Sequence, residues 1–434
     1  MADDPREIID REPMSRFQWV VVAIMVGLNA LDGFDVLSIS FASPGIVKDW
    51  GIDRAALGLV LSMELIGMAV GSIVLGGVAD RFGRRRTILG CLVVMAAGMF
   101  AASTAHDVVT LSIWRVLTGL GIGGMLATTN AAVSEASNIA RRNLAVVIMA
   151  AGYPLGAIVG GSISSALLRH FDWPVVFQFG GIVTLCFIPI VLWRAPESIA
   201  FELQRRRPGT LAAVNRTLAR MGHRTVDALP PEKAVGAAMP LAALFSPALA
   251  RITLLITLAY TAQLMTFYFL LKWIPKIVVD MGFAPSSAGS ILVFANCGGL
   301  VGSLLLGLLT AKIKVRTLTI ATMAVSAIMV SWFGRGQGSY GELAWIAAIT
   351  GFFTNGGIVG LYALLARSFP TDVRATATGF AIGVGRGGSA LAPALAGFLF
   401  AAGYGLQTVA ILMASGSVIA LLALLALGNR GEAT

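Results

Sequence analysis

Charge is what this sequence has least of. Only 12% of its 434 residues are Asp, Glu, Lys or Arg, about half the share carried by ordinary soluble domains. That scarcity excludes a water-soluble globular chain of this length. Cysteine is as sparse. Cys91, Cys186 and Cys297 are scattered through apolar stretches, which excludes a disulfide framework or a thiolate metal site and reads as small buried hydrophobes. The three histidines, His106, His170 and His223, all fall between apolar runs, so they are not expected to form a proton relay or to hold a metal. No phosphate-cradling glycine loop and no Ser/His constellation occurs, which argues against direct ATP use, against an enzyme and against a cofactor.

Long hydrophobic runs are abundant. Hydrophobic residues make up 57% of the chain, and they gather into runs of roughly 20 residues, the helical length that crosses about 30 Å of hydrocarbon. Twelve such spans are read, at 18–43, 57–79, 87–105, 108–133, 142–168, 174–194, 251–275, 286–310, 316–333, 341–366, 373–400 and 404–427. A membrane β-barrel would need short alternating segments instead. The expected fold class is an all-α integral membrane protein of twelve transmembrane helices. The opening MADDPREIIDREPMSR is too charged for a secretory signal, so the first span should be retained. With both termini cytoplasmic, most of the 32 Lys and Arg fall on the inner side of a cell (inner) membrane, the usual topological bias. The net charge of +10 then faces the lipid bilayer's headgroups and calls for no nucleic acid.

A polar segment at 195–250, containing RRRPG and PPEK, divides the spans six and six. It separates an N-terminal bundle (1–194) from a C-terminal bundle (251–434). Within it Leu211, Val214, Leu218 and Met221 recur at helical spacing, predicting an amphipathic helix on the inner membrane face. At an offset of 231 residues GSIVLG (71–76) aligns with GSLLLG (302–307), Gly152 with Gly383 and Gly156 with Gly387. Parallel six-helix repeats of this kind form transporters with a midplane site between the halves. The same offset sets Asp32 against Gln263 and Asp35 against Thr266. Carboxylates therefore occupy only the first copy, which divides proton and substrate duties between the halves.

The charges inside spans carry the chemistry. In NALDGFDVLSISFASPG (29–45), Asp32 and Asp35 lie near the midplane, three residues apart and so on one helix face. Intramembrane acids mark ion or proton paths, and a close pair is expected to hold a proton it can exchange. Arg386, in GVGRGGSA, is read as the cation near the midplane, where a guanidinium can grip a carboxylate through two parallel hydrogen bonds. Phe34, Tyr153, Phe267, Tyr268, Phe352 and Tyr362 are candidates to hold a ring, Phe34 foremost. Arg115 stands in the outer third of the fourth span, where it needs a cavity or a partner. Glu64, in the outer half of the second span, has no evident partner, leaving open a polar contact across helices or a role in transport. Lys272, beside Trp273 in FLLKWIPK, reads as snorkelling to the outer interface.

GGVADRFGRRRTILG (76–90) resembles the signature loop of the major facilitator superfamily. The resemblance implies a conformational latch built from Gly76, Asp80, Arg81, Gly83, Arg84 and Arg85. Asp80 would sit near the start of the eleventh span, at the positive end of its dipole, Arg84 would pair with Glu135, and Arg374 would complete the set. The second-half loop GLLTAKIKVRTLT keeps Lys312, Lys314 and Arg316 but no Asp or Gly at the equivalent places. RVLTGLGIGG (115–124) resembles the family's arginine-glycine motif and implies that Arg115 belongs with the proton machinery. GYPLGAIVGG (152–161) resembles its glycine-proline segment, where small residues let helices pack closely. DGFD is similar to the Asp-Gly-aromatic-Asp signature of the aromatic acid:proton symporter family, and FPTDVRATATGFAIGVGRGGSALAPALAG (369–397) to its paired-arginine segment. With PES (196–198) the resemblance covers nearly the whole chain. It implies a monomeric proton symporter that imports a small aromatic carboxylate, such as a hydroxybenzoate, by alternating access. Asp32, Asp35 and Arg115 would couple protons, while Arg386, Phe34, Gln263 and Tyr153 would bind substrate. Uptake of a non-aromatic acid, proton-driven efflux of a xenobiotic and a non-transporting chemoreceptor are the alternatives.

Overall fold

The computed structural model describes residues 4–231, 241–310, 312–336 and 338–428, apart from the side chains at 366, 371, 372, 374 and 375. After a short leading helix, α1 (Pro5–Arg11), the first six spans are α2 (Arg16–Trp50), α3 (Arg54–Phe82), α4 (Arg84–Ser103), α5 (Val108–Ala136), α6 (Ile139–Leu167) and α7 (Pro174–Arg194). The connecting segment holds α8 (Ile199–Arg205), α9 (Thr210–Met221) and a 3-10 turn at Leu241–Phe245. The second set comprises α10 (Ala250–Asp280), α11 (Pro285–Leu309), α12 (Val315–Phe333), α13 (Tyr340–Ser368), α14 (Thr371–Ser389) with α15 (Leu391–Ala401), and α16 (Leu406–Leu427). Among the described residues, twelve helical segments are long and apolar enough to cross a membrane, α14 and α15 together forming one of them.

Polar residues at the boundaries start the helices. Ser15 and Gln18 form a reciprocal capping box at α2, and the carboxylates of Asp53 and Asp107 and the amide of Asn138 accept the first free N–H groups of α3, α5 and α6. Gly51, in the left-handed region at φ 62°, closes α2. The eleventh span was expected to run unbroken. It breaks at Ser389–Ala390 because Pro393, four residues on, has no N–H for the Ser389 carbonyl and crowds it with its ring.

The two halves repeat one packing scheme. A Cβ on Gly67 or Gly71 would come within 2.2 or 2.1 Å of an α5 carbonyl, and one on Gly298 or Gly302 within 1.8 or 2.3 Å of an α13 carbonyl. Equivalent glycines therefore weld α3 to α5 and α11 to α13. The scheme fails at the other aligned pair. Gly152 and Gly156 press against the α2 backbone at 2.5 and 1.7 Å, whereas Gly383 and Gly387 on α14 face nothing within 4 Å.

The bundles meet on the face away from α8 and α9. There Gly58 of α3 lies against Gly397 and the Pro393 carbonyl of α15, Gly289 of α11 against Ser165 of α6, and the Trp273 indole donates to the Pro393 carbonyl at 3.1 Å. Toward the α8–α9 face the same helices stand clear, Gly76 and Gly77 of α3 having no neighbour within 4 Å. A chamber between the bundles is thus shut on the far face and open on the linker face.

The amphipathic helix is α9, but its apolar side is covered by protein rather than laid on lipid. Val214, Leu218 and Met221 pack with Ile8 and Ile9 of α1, Ile199 and Leu203 of α8, and Val226 in a small second core. The N-terminal helix that fills this core was missed in the sequence, although Asp4 followed by Pro5 is a helix-start signal.

Candidate substrate and proton site

Gly33 explains the spacing of the two aspartates. A Cβ there would fall 2.0 Å from the Tyr153 carbonyl of α6, so only glycine lets α2 and α6 touch at the middle of the membrane. Asp32 and Asp35 flank that contact. Both are buried, and none of their four carboxylate oxygens has a hydrogen-bond partner among the described residues. Buried polar atoms are almost always partnered. Four orphaned oxygens on one helix face leave hydrogen-bonding capacity unmet in the middle of the bundle.

Arg386 reaches the same region from α14. It is half-buried, shares a helix face with Gly379 and Gly383, and makes no hydrogen bond or ion pair among the described residues. It interacts electrostatically with Asp32 and with Tyr153, Tyr260, Tyr268 and Tyr362. Among the described residues it forms no salt bridge with Asp32 or Asp35. Tyr260 and Tyr362 share a hydrogen bond of 2.9 Å and pack edge to face. Gly385 makes room for the Tyr260 ring, which a Cβ would meet at 2.3 Å.

Two of the expected substrate residues are otherwise engaged. Phe34 is turned into the N-terminal bundle, edge-on to Phe179 at 5.3 Å and pressed on Gly160. Gln263 is buried, donating to the Thr354 carbonyl at 3.0 Å and accepting from Ser417 at 2.8 Å. Tyr153 stays at the chamber beside Tyr268. The polar wall around Arg386 is one of tyrosines, and Tyr260 was not foreseen.

Arg386 is also not the only cation within the spans. Lys272 does not snorkel: it is 0% exposed and its ammonium donates to Glu64 at 3.0 Å and to the Val36 carbonyl. Glu64, also fully buried, is held on its other oxygen by Arg115. Arg115 in turn donates to the Asp35 carbonyl at 2.9 Å and lies over the Phe177 ring at 5.3 Å. The three residues come from α10, α3 and α5, so no local pattern could have announced the cluster.

At the linker face Arg84 grips Glu135 through two hydrogen bonds, 3.1 and 2.8 Å. Asp80 is 69% exposed and pairs with Arg84 at 3.0 Å within its own loop, while most side chains at the start of the eleventh span, where it was expected, lie outside the described residues. Arg81 is exposed with its guanidinium 5.7 Å from the Phe82 ring centre. Arg374, expected in the same latch, has its side chain outside the described residues. Gly83, at φ 104°, turns the chain so that Glu197, of the PES segment, caps α4. One Glu197 oxygen accepts from the backbone N–H groups of Arg84 at 2.7 Å, Arg85 at 3.3 Å and Ser198 at 3.0 Å. Burial holds the Glu197 carboxyl above the usual glutamate range despite those donors. Arg85 donates onward to the Leu192 carbonyl.

This arrangement, two six-helix bundles around a central chamber with a glycine-and-arginine loop on one face, defines a membrane transporter. The chain belongs to the Major Facilitator Superfamily, whose model matches residues 25–334 and 256–433, a family of transporters and not of enzymes. It is 28% identical to the gallate transporter of Pseudomonas putida over 98% of this chain and 95% of that one. It is 31% identical to the 4-hydroxybenzoate transporter PcaK of the same organism (89% and 87% covered) and 31% to the 3-(3-hydroxy-phenyl)propionate transporter of Escherichia coli (92% and 91%). In fold it is similar to the solved D-xylose-proton symporter (TM-score 0.74, 16% identity, 95% and 97% covered) and to the inward open xylose transporter XylE from E. coli (TM-score 0.72, 16% identity, 95% and 96%).

Proposed function

We propose that the protein is a proton-coupled symporter that imports a small aromatic carboxylate, hydroxybenzoate-like, across a cell inner membrane, with the linker face and both termini in the cytoplasm. The observation that carries this reading is the pairing of an uncommitted guanidinium, Arg386, with four unpartnered carboxylate oxygens on Asp32 and Asp35 in one chamber. Arg386 takes the substrate carboxylate in a planar, two-pronged grip. Tyr153 and Tyr362, the more exposed of the four tyrosines, offer ring faces and hydroxyls to an aromatic acid, with Tyr260 hydrogen-bonded to the Tyr362 hydroxyl. An entering anion competes with Asp32 for the charge of Arg386, so that loading favours a proton on the aspartate pair and ties the two cargoes together. The kinship with gallate, hydroxybenzoate and hydroxyphenylpropionate transporters supports an aromatic acid over other cargoes. Alternating access follows from exchanging the far-face seam for a linker-face seam around the same site.

The test is a competition panel of radiolabelled acids in cells expressing the protein. One aromatic acid should accumulate uphill, be displaced by close ring analogues and be lost on adding a protonophore. Preferred displacement by aliphatic acids, or accumulation indifferent to the protonophore, would overturn the reading.

A further inference from the structure

Lys272 reaches across the interface. Its stem belongs to the C-terminal bundle, yet both acceptors of its ammonium, Glu64 of α3 and the Val36 carbonyl of α2, belong to the N-terminal one. It is fully buried and sits one residue before Trp273, whose indole holds the Pro393 carbonyl in the far-face seam. Around it the seam is otherwise made of close backbone approaches, Gly58 to Gly397 and the Ala394 N–H to Ser62 at 3.0 Å, and of a surface pair, Arg54 with Asp280 at 3.0 Å. The surface pair is partly in solvent and contributes little. The buried pair is different, since a charge left behind without its partner in a dry site is strongly unfavourable.

We infer that Lys272 and Glu64 form the bolt of the far-face gate: the pair is made when that face is shut and must part for it to open, Arg115 remaining to neutralise Glu64. The grip on α2 gives the bolt its reach. Arg115 and Lys272 bind the consecutive carbonyls of Asp35 and Val36, so withdrawing Lys272 frees the helix one residue after Asp35 and leaves Arg115 to hold that stretch. Lys272 is thus a positioning residue, acting on Asp35 through the α2 backbone, and the gate and the proton site share one strut.

The experiment needs no substrate, so it is independent of which acid is carried. Cys91, Cys186 and Cys297 are replaced by alanine, and spin labels are placed on His106→Cys and Ala402→Cys, exposed positions in far-face loops of the two bundles. Their separation is measured by pulsed electron resonance in lipid nanodiscs. The parent should show mainly the short distance of a shut far face. Lys272→Met and Glu64→Gln should each raise the ratio of long to short distances about tenfold or more, the double variant should do no more than either single one, and Lys272→Arg should stay near the parent. Unchanged distances in protein that remains monodisperse, or a double variant whose effect is the product of the singles, would overturn the inference.

Discussion

The α carbon of Gly33 rests against the backbone carbonyl of Tyr153, with space for hydrogen and none for a methyl group, a Cβ falling 2.0 Å from that oxygen. Gly33→Ala should therefore push α2 off α6 and lower the unfolding free energy by about 1–3 kcal/mol, as overpacking in a tight core does. Gly76→Ala is the matched control, because its Cβ meets nothing within 4 Å in the state with the linker face open. It should leave thermal stability near the parent's yet slow transport, since the linker ends of α3 must close during the cycle. Melting curves in detergent, read beside initial uptake rates, check both.

Asp32→Asn and Asp35→Asn each remove a group that can load and release a proton while keeping its shape. Each should abolish uphill accumulation at normal expression, with downhill exchange surviving in at least one. Accumulation and counterflow assays on the same membranes separate the two. Parent-like accumulation in both variants would show that the orphaned oxygens serve packing alone.

For Arg386, the informative comparison is between an acid and its neutral amide. The parent should lose much affinity on that change, Arg386→Ala very little, and Arg386→Ala should bind the acid about 2–5 kcal/mol more weakly, as for a truncated buried charge partner. Arg386→Lys keeps charge without the planar fork and should fall between. Equal amide penalties in all three proteins would show that the carboxylate is read elsewhere.

Glu197 yields a pH prediction. Its carboxyl titrates above the usual glutamate range because burial outweighs its three N–H donors. A group whose folded value is raised contributes stability that is fully present below the unfolded value and is lost as pH rises through the folded one. The melting temperature should therefore decline on crossing from ordinary glutamate pH upward, and Glu197→Gln, which keeps an acceptor oxygen, should flatten that decline. Glu197→Ala removes the cap and should cost about 0.5–2 kcal/mol.

Asp80 pairs with Arg84 on an open face. Asp80→Asn should leave acid affinity in detergent unchanged and slow transport, its charge being needed only when the linker face closes. Affinity falling in step with rate would place Asp80 at the cargo site.

Most of the fold was legible because a bilayer demands long apolar helices, and twelve runs became twelve helical spans. The break in the eleventh span was written in Pro393, a local signal that the length of the hydrophobic run obscured. Asp32, Asp35 and Arg386 stood out as charges in apolar sequence. Their neighbours did not, because rotamer and helix rotation decide whether Phe34 faces the chamber or Phe179, and neither is encoded at one position. Lys272 was misread, and Glu64 left without a named partner, for a related reason. Each looked costly alone, and the partner that makes burial tolerable lies 208 residues away. The latch was read from its loop, but its acceptor Glu197 lies beyond four further helices.

The unequal use of the duplicated glycines reaches beyond packing. In the first copy Gly152 and Gly156 are jammed against a neighbouring backbone, and no larger residue fits without moving a helix. In the second, Gly383 and Gly387 border empty space on the helix that carries Arg386. A methyl or an isopropyl group added there would reshape the chamber while leaving the scaffold untouched. Descendants of such a chain would be free to change the cargo they accept through single substitutions on α14 without passing through an unstable intermediate, the first copy serving as the fixed wall.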